Sequence, residues 1–425
     1  MASTKKTRYA PLIAQLPDRA TTSMAEGGAT ALSLPGDVIS VILSWVPVKS
    51  VCRFRCVSKD WLALVSDPAF IANHKSRGAP VQLLVGSYCE VDCAPYHSSL
   101  QVMDMDGKLL WTIQGFAMMP NVRSSLDNLV CFSGPDGVAR VADVTTGKVL
   151  VTSPWITGGV SSSNVQQHCA IAISLGRSAV SNSTKVVRLT EYSQDEPQQT
   201  CEILTLGVND SLWRQAPLPP SAVNVFPYES SSATVNGVVH FLSSTYGIQK
   251  KPADTVLSFD LETEEWRSKT IQGPLTRDTE LWSKTDRVRL TGLSDTLCMI
   301  QTEECHANMW LLVDADKSIW VKKYTLPMVK PFYMIEPLSV MPDGVKLLLY
   351  YRPANWDESV LRVYDPSVGI CSDDIKLPKH TFDKVSICNL HLDYFVTPAR
   401  SDVHWTVLLG KTAHRYQRRH ALRLI

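Results

Sequence analysis

Between Leu32 and Asp67 the apolar residues fall at helical spacing, interrupted by short polar steps. The first run, "LSLPGDVISVILSW", continues into Val46 and is apolar at Val38, Ile39, Val41, Ile42, Leu43, Trp45 and Val46, with Ser40 and Ser44 as its polar interior positions. A helix in water ordinarily keeps one wet face, whereas this pattern covers well over half the circumference and so calls for a second body against it. Ser33 as a cap, Pro35 in the first turn, Asp37 at the positive end and Pro47 as the stop predict a helix of about three turns. Ser50 before "VCRFRCV", Ser58 before "KDWLALV" and Asp67-Pro68 predict three more short helices with almost no loop between them.

Near Gly78-Ala79-Pro80 the period changes to short β-rich runs separated by Gly, Pro, Asp and Asn, continuing to about residue 410. A degenerate unit of three strands recurs there. Its copies read "VQLLVGS…SLQVMDMDGKLLWTI", "NLVCFSG…ARVADVTTGKVLVT", "KVVRLTEYS…CEILTLGVNDSLWRQ", "VVHFLSS…TVLSFDLETEEWRSKTI", "TLCMIQ…ANMWLLVDADKSIWVKKYT" and "KLLLYY…VLRVYDPSVGICSDDI". A turn-opening residue and the first apolar residue of the return strand lie six apart at Asp143/Val149, Gly207/Trp213, Asp260/Trp266, Asp314/Trp320 and Asp365/Cys371, and seven apart at Asp104/Trp111. Asp or Gly suits the turn backbone, and the Trp or aliphatic buries against a neighbouring repeat.

The repeat averages about fifty residues, the period of kelch-like propellers with one four-stranded blade per repeat. The expected fold is therefore α + β in two domains: a small N-terminal helical domain and an all-β propeller of six blades, with seven as the rival count. The long gap between Asp143 and Gly207 leaves room for an extra blade at "HCAIAIS". The ring would close by pairing the 81–100 and 388–410 regions. An antiparallel sandwich is the rival architecture, although one of this length would ordinarily split in two. The expected division is a flexible leader at 1–31, helices at 32–78, propeller at 79–410 and a basic tail at 411–425.

Composition fits a packed globular chain, with 44% hydrophobic and 20% charged residues. The net charge of +1 gives no global field for nucleic acid or anionic membranes. The tail holds Lys411, Arg415, Arg418, Arg419 and Arg423 without an acid, but has no aromatic interleaving or DNA-reading fold, so nucleic acid is not assigned as a partner. No run approaches the roughly twenty apolar residues of a membrane span, and the leader lacks a signal-type apolar core. The expected location is cytoplasmic, nuclear or both, with no membrane partner. The eleven cysteines are odd in number and irregular in spacing, which suits buried thiols.

The stretch "LPGDVISVILSWVPVKSVCRFRCVSKDWLALVSDPAF" resembles the plant-type F-box, and "VNGVVHFLS", "VLSFDLETEEW", "SIWVKKYTL" and "VYDPSVG" are similar to the F-box-associated, kelch-like repeat region found behind that motif. The resemblance implies a non-catalytic substrate receptor of an SCF-type (Skp, cullin, F-box) ubiquitin ligase. The helices would bind a Skp-type adaptor, and through it a cullin-RING ligase, while the propeller would hold an unidentified protein for ubiquitination. It places the adaptor-facing positions at Leu34, Pro35, Ile42, Leu43, Pro47, Val51 and Val57, with Phe54 and Trp61 nearer the helical core. Val41 stands where the family often has Glu, and Trp45 where it often has Arg, which removes charges from the rim of that face. The competing reading of these residues is an ordinary helical cap docked on its own propeller.

In an antiparallel blade, the loops between the second and third strands emerge at the same rim as the loops between blades, opposite the tight hairpins. Aromatic and charged residues on those loops are candidate anchors for a bound protein: Tyr88, Tyr96, Tyr246, Lys250, Trp282, His306 and Trp356. The competing reading has them packed onto the propeller edge.

Two other classes compete with this reading, a protein-interaction scaffold outside any ligase and a propeller enzyme. The ten histidines show no paired spacing, so no catalytic residue is assigned. Cys89, Cys93 and His97 lack the fourth ligand of a zinc site. Asp314-Ala-Asp316-Lys-Ser318 begins like a calcium loop, but Ile319 replaces the required Gly and Thr325 the closing Glu. Asn182 and Asn209 match glycosylation acceptors, which have meaning only in a secreted chain. No metal or cofactor is expected.

Overall fold

The computed structural model describes residues 34–396 except 79, 91–96, 117–119, 135–137, 155–169, 193–197, 208–211, 226–231, 245–253, 276–286, 304–305, 328–331, 354–358 and 378–380. Four helices come first: α1 (Gly36–Leu43), α2 (Val48–Phe54), α3 (Lys59–Ser66) and α4 (Pro68–Arg77). Ser58 caps α3 by accepting from Trp61 N, and Asp67 caps α4 by accepting from Ala69 N and Phe70 N. Pro47 takes the cap position of α2, so Ser50 lies inside that helix. α1 is two turns rather than three, because beyond Leu43 the chain tightens into i→i−3 bonds from Trp45 N to Ile42 O and from Val46 N to Leu43 O.

Six sheets follow, one per blade. The first blade holds β1 (Val81–Glu90), β2 (His97–Met103) and β3 (Leu109–Phe116). The second is β4 (Asn121–Leu126), β5 (Leu129–Ser133), β6 (Ala139–Asp143) and β7 (Lys148–Thr152). The third is β8 (Ala170–Arg177), β9 (Thr184–Tyr192), β10 (Gln198–Thr205) and β11 (Arg214–Gln215); the fourth is β12 (Ser232–Val235), β13 (Val238–Leu242), β14 (Val256–Asp260) and β15 (Glu265–Trp266). The fifth is β16 (Arg287–Leu293), β17 (Thr296–Thr302), β18 (His306–Asp314) and β19 (Ile319–Pro327). The sixth is β20 (Phe332–Val340), β21 (Leu347–Pro353), β22 (Val360–Asp365) and β23 (Ile370–Cys371), with β24 (Ile375–Lys376) also paired to β22. Last come β25 (Thr381–Leu390) and α5 (Asp393–Val396).

Each recurring triplet in the sequence is the second, third and fourth strand of a blade, and the innermost strand comes from the segment before it. "HCAIAIS" therefore contributes β8, the inner strand of the third blade, and the count is six. The ring closes through β25, which pairs with β1 from Val81↔Leu390 to Tyr88↔Thr381. That pairing starts upstream of the expected 388–410 region, because the chain leaves the sheet after Leu390 and turns into α5.

The hairpin spacing has a local cause. Asp143, Asp260, Asp314 and Asp365 each pair with the residue five positions on, and the residue four positions on has a left-handed backbone: Gly147 (φ 69°), Glu264 (φ 59°), Ser318 (φ 54°) and Gly369 (φ 71°). The Asp carboxylates accept from turn amides, as Asp260 does from Glu262 N and Asp365 from Ser367 N. The sixth residue then faces the strand interior, as in Phe259↔Trp266 and Tyr364↔Cys371. At Asp104 a bulge between Val102 and Met103 adds one residue, which gives the spacing of seven. Trp266 Nε1 donates to Pro217 O and Trp320 Nε1 to Gln272 O, each 2.8 Å and each to the preceding blade. The aromatics thus lock blade to blade.

Candidate functional site

At 3.6 residues per turn, Val38, Val41, Ile42 and Trp45 fall within an arc of about 100° on α1 and its last turn, while Ile39, Leu43 and Val46 lie on another arc of about 60°. The second arc packs into a core made with Val48, Val51, Val65 and Phe70. Phe54 and Trp61 meet edge to face at 5.4 Å and flank that core. The first arc faces solvent: Ile42 is 50% exposed, Trp45 66%, and Val38 and Val41 are exposed with them. The first helix is apolar all round because one face belongs to its own core and the other has no cover within the described chain.

Of the seven expected partner-facing residues, Leu34 (54%), Pro35, Ile42, Pro47 and Val57 (61%) are exposed. Leu43 and Val51 are not: they are 3% and 0% exposed and belong to the helical core. Leu43 sits about 100° round from Ile42, which turns it inward. Arg77, from α4, holds its guanidinium over the Trp45 ring at 5.6 Å, a contact across 32 residues with no local sequence signal.

The other side of the helical domain docks on the propeller where the ring closes. Arg55 Nη1 donates to Phe395 O at 2.9 Å, Lys75 lies 3.5 Å from the Asp393 carboxylate, and the Lys75 ammonium stands 5.8 Å from the centre of the Tyr394 ring. One apolar cluster runs from Val51, Val65 and Phe70 to Leu390, Leu392 and Phe395 and on into the first two blades. His74, fully buried, ties α4 to the chain after α1 through Nε2 and Val46 O, 2.8 Å apart. A Cβ at Gly78 would come within 2.5 Å of that imidazole and 2.9 Å of the His74 carbonyl, so the tight exit from α4 suits glycine there. Burial raises the Cys52 thiol in this core to about 12, as suits an inert packed side chain.

β25 ends and β1 begins at the hairpin side of the ring, so the helices sit opposite the rim of second-to-third-strand and inter-blade loops. On that rim, Tyr88 is half-buried late in β1, and His306 opens β18 with its imidazole 3.0 Å from Glu303. They belong to the first and fifth blades, with the sixth between them. Tyr96, Tyr246, Lys250, Trp282 and Trp356 lie outside the described residues, as do the leader and the basic tail.

The interior toward the same rim carries much of the buried polarity. Ser98, Thr190, Glu191, Thr302, Asn308 and Arg352 are buried near the ends of their strands, and Gln199 Nε2 donates to Glu191 at 2.7 Å. Arg188, deeper in the third blade, pairs with Glu202 and stacks 4.9 Å from the Trp213 ring centre. Single polar letters inside strands gave too little sign of this layer. The calcium-like stretch is the β18–β19 hairpin, with Asp314 accepting from Lys317 N. Among the described residues no group of three or more His, Cys, Asp or Glu could hold a metal.

A family model described as the F-box domain matches residues 31–73, and one described as the F-box associated beta propeller domain matches 101–340. An F-box/kelch-repeat protein of Arabidopsis thaliana is 25% identical over 79% of this chain and 89% of its own length. An F-box protein of the same plant is 22% identical, over 75% of this chain and 76% of its own. Among solved structures, the beta-propeller domain of Myceliophteria thermophila Cps50 (Swd1) is similar with a TM-score of 0.37 and 8% identity, over 67% of this chain and 83% of that one.

Proposed function

The chain belongs to the F-box proteins that carry an F-box associated beta propeller domain, and from that membership we propose that it is the substrate-recognition subunit of an SCF-type ubiquitin ligase acting in the cytoplasm or nucleus. The helical domain binds a Skp-type adaptor, the propeller holds the protein to be modified, and the covalent chemistry belongs to the other subunits.

The observation that carries this reading is the uncovered arc of α1. The helical core is complete on its inner side and the helices are docked on the propeller, yet Leu34, Val38, Val41, Ile42 and Trp45 remain in water. Fully burying one Leu, Ile or Val side chain is worth about 1.5–3 kcal/mol, so a partner that covers the arc gains several kcal/mol from apolar contact alone. Polar contacts at the edge add orientation more than affinity. Strand direction supports such a division of tasks, with the helices at the hairpin side of the ring and the second-to-third-strand ends at the other.

The test is co-precipitation of a recombinant Skp-type adaptor with the full chain. Leu34→Ala combined with Pro35→Ala abolishes adaptor capture while the propeller keeps its β-rich circular dichroism and cooperative melting. Undiminished capture by the double variant would remove this face from the site.

A further inference from the structure

Trp45 is the most exposed of the large apolar residues in the helical domain and stands at the end of the uncovered arc. A freely rotating indole would lose conformational freedom on binding, but this one is already held from a second helix. Arg77 lies over its ring at 5.6 Å, and Arg77 Nη1 reaches Ser44 Oγ at 3.4 Å. Ser44 is fully buried and its hydroxyl donates to Val41 O at 2.7 Å, which fixes the turn from which the indole projects. A large, pre-oriented aromatic with a cation beside it is the kind of side chain that dominates an interface once water is excluded.

Charge identifies the kind of surface that fits. Residues 34–78 carry six basic residues against three acidic ones, and two of the basic residues, Arg55 and Lys75, are engaged at the propeller seam. No carboxylate among the described residues pairs with Arg77. A partner that seals the indole also desolvates part of this guanidinium, and an acidic group on the partner offsets that cost.

We propose that Trp45, braced by Arg77, is the anchor that determines which Skp-type adaptors this chain accepts, entering an apolar cleft edged by an acidic side chain. The proposal rests on the adaptor reading given above. The residues on the rest of the arc supply general apolar contact, whereas the indole demands a cleft of matching depth, so adaptors with and without it are separated by this one side chain.

The experiment is calorimetric titration of the full chain with a panel of recombinant Skp-type adaptors from one plant, at low and high salt. Expected for Trp45→Ala is a loss of about thirtyfold or more toward the preferred adaptors and a collapse of the differences across the panel. Arg77→Gln should lower affinity about threefold to tenfold and flatten the salt dependence. Trp45→Phe, which keeps an aromatic ring, should fall between wild type and Trp45→Ala, and near-ultraviolet dichroism verifies that each variant is folded.

Val38→Asp separates this proposal from the reading beneath it. A carboxylate in the first turn of α1 suits the helix dipole, so the helix stays formed while a charge enters the arc. If Val38→Asp binds every adaptor as wild type does, the adaptor reading fails. If it loses binding while Trp45→Ala keeps wild-type affinity and ranking, the anchor proposal alone is overturned. Self-association of the free chain that Trp45→Ala abolishes would assign the arc to a second copy instead, and also overturn it.

Discussion

The helical domain and the propeller place their apolar residues in opposite ways. Among the described residues, seven large hydrophobics stand exposed in the 45 positions of the helical segment, against twelve in the much longer ring. In the helices, four of them share one arc and are sequence neighbours. In the ring they are spread over five blades, singly as at Val180 and Leu218 or in twos as at Val149 and Leu150, largely on outer strands and turns. Scattered exposure is the ordinary condition of a folded surface, whereas contiguous exposure on one helix marks a face awaiting a partner. The ring hides its chemistry in the opposite sense, with polar side chains buried beneath the loop-bearing rim. The two domains thus look outward by different means, one through grease at its surface and the other through loops above a polar interior.

The largest effect that sharpens this contrast comes from the inner side of the helices. Phe70 is buried beside Val51 and Val65, its ring 6.0 Å from that of His74. Phe70→Ala is expected to cost about 3–5 kcal/mol through lost burial and the cavity left behind. So small a helical domain has little stability of its own, so amide hydrogen exchange should show α2 to α4 opening while β12 to β15, with a separate apolar cluster, stay protected. Equal loss of protection in both regions would mean that helices and ring fold as one unit, and the contrast between them would be thermodynamically empty.

Acid should act on the ring through His240, which is buried in β13 with Nδ1 2.9 Å from Ser258 Oγ. Burial first, and then the charge of Arg267, lowers His240 from its ordinary value near 6.5 to about 4. Below pH 6.5 the unfolded chain takes up a proton that the folded chain refuses until about pH 4. Stability is therefore full above pH 6.5, falls as pH drops through this window, and levels off below it, a loss of about 3 kcal/mol. Subtracting the melting curve of His240→Gln from that of the wild type isolates this contribution. An unchanged slope between pH 6.5 and 4 in the variant would assign the loss to other groups.

How far such features can be seen in the residues alone depends on how local their cause is. The hairpins were legible because Asp260 and its equivalents bond their own turn amides within three residues, and the left-handed position follows at a fixed offset. Ser58 and Asp67 were legible as caps for the same reason. The inner strands were not: "SATV" and "NVRSSL" are short and partly polar, and what makes them strands is the ring that surrounds them. Closure of β25 on β1 spans about three hundred residues; the repeat alone points to the two ends of the ring, but nothing local marks that the strand runs from Thr381 to Leu390. On α1 the apolar content is plain in the sequence, but nothing local tells which face Leu43 takes, and the same holds for Val51 on α2; packing turns both inward. The brace between Arg77 and Trp45 joins two helices and could only be seen folded.

The smallest effect is a useful control on the contrast. Ile370 in β23 is nearly as exposed as Trp45, at 64%, but it stands on a two-residue outer strand beside Cys371, whose side chain turns into the blade. If exposure by itself made a docking face, replacing it should matter as much as replacing a residue of the α1 arc. An apolar group on an edge strand, outside any shared helical arc, instead loses almost nothing on becoming polar, and threonine keeps the β-branched shape the strand favours. Ile370→Thr is therefore expected to change unfolding free energy by less than about 0.5 kcal/mol and to leave adaptor titrations unaltered. A measurable loss of adaptor binding would mean that the contact extends across the propeller edge, and the division between an outward-facing helix and a merely wet ring would have to be redrawn along the sixth blade.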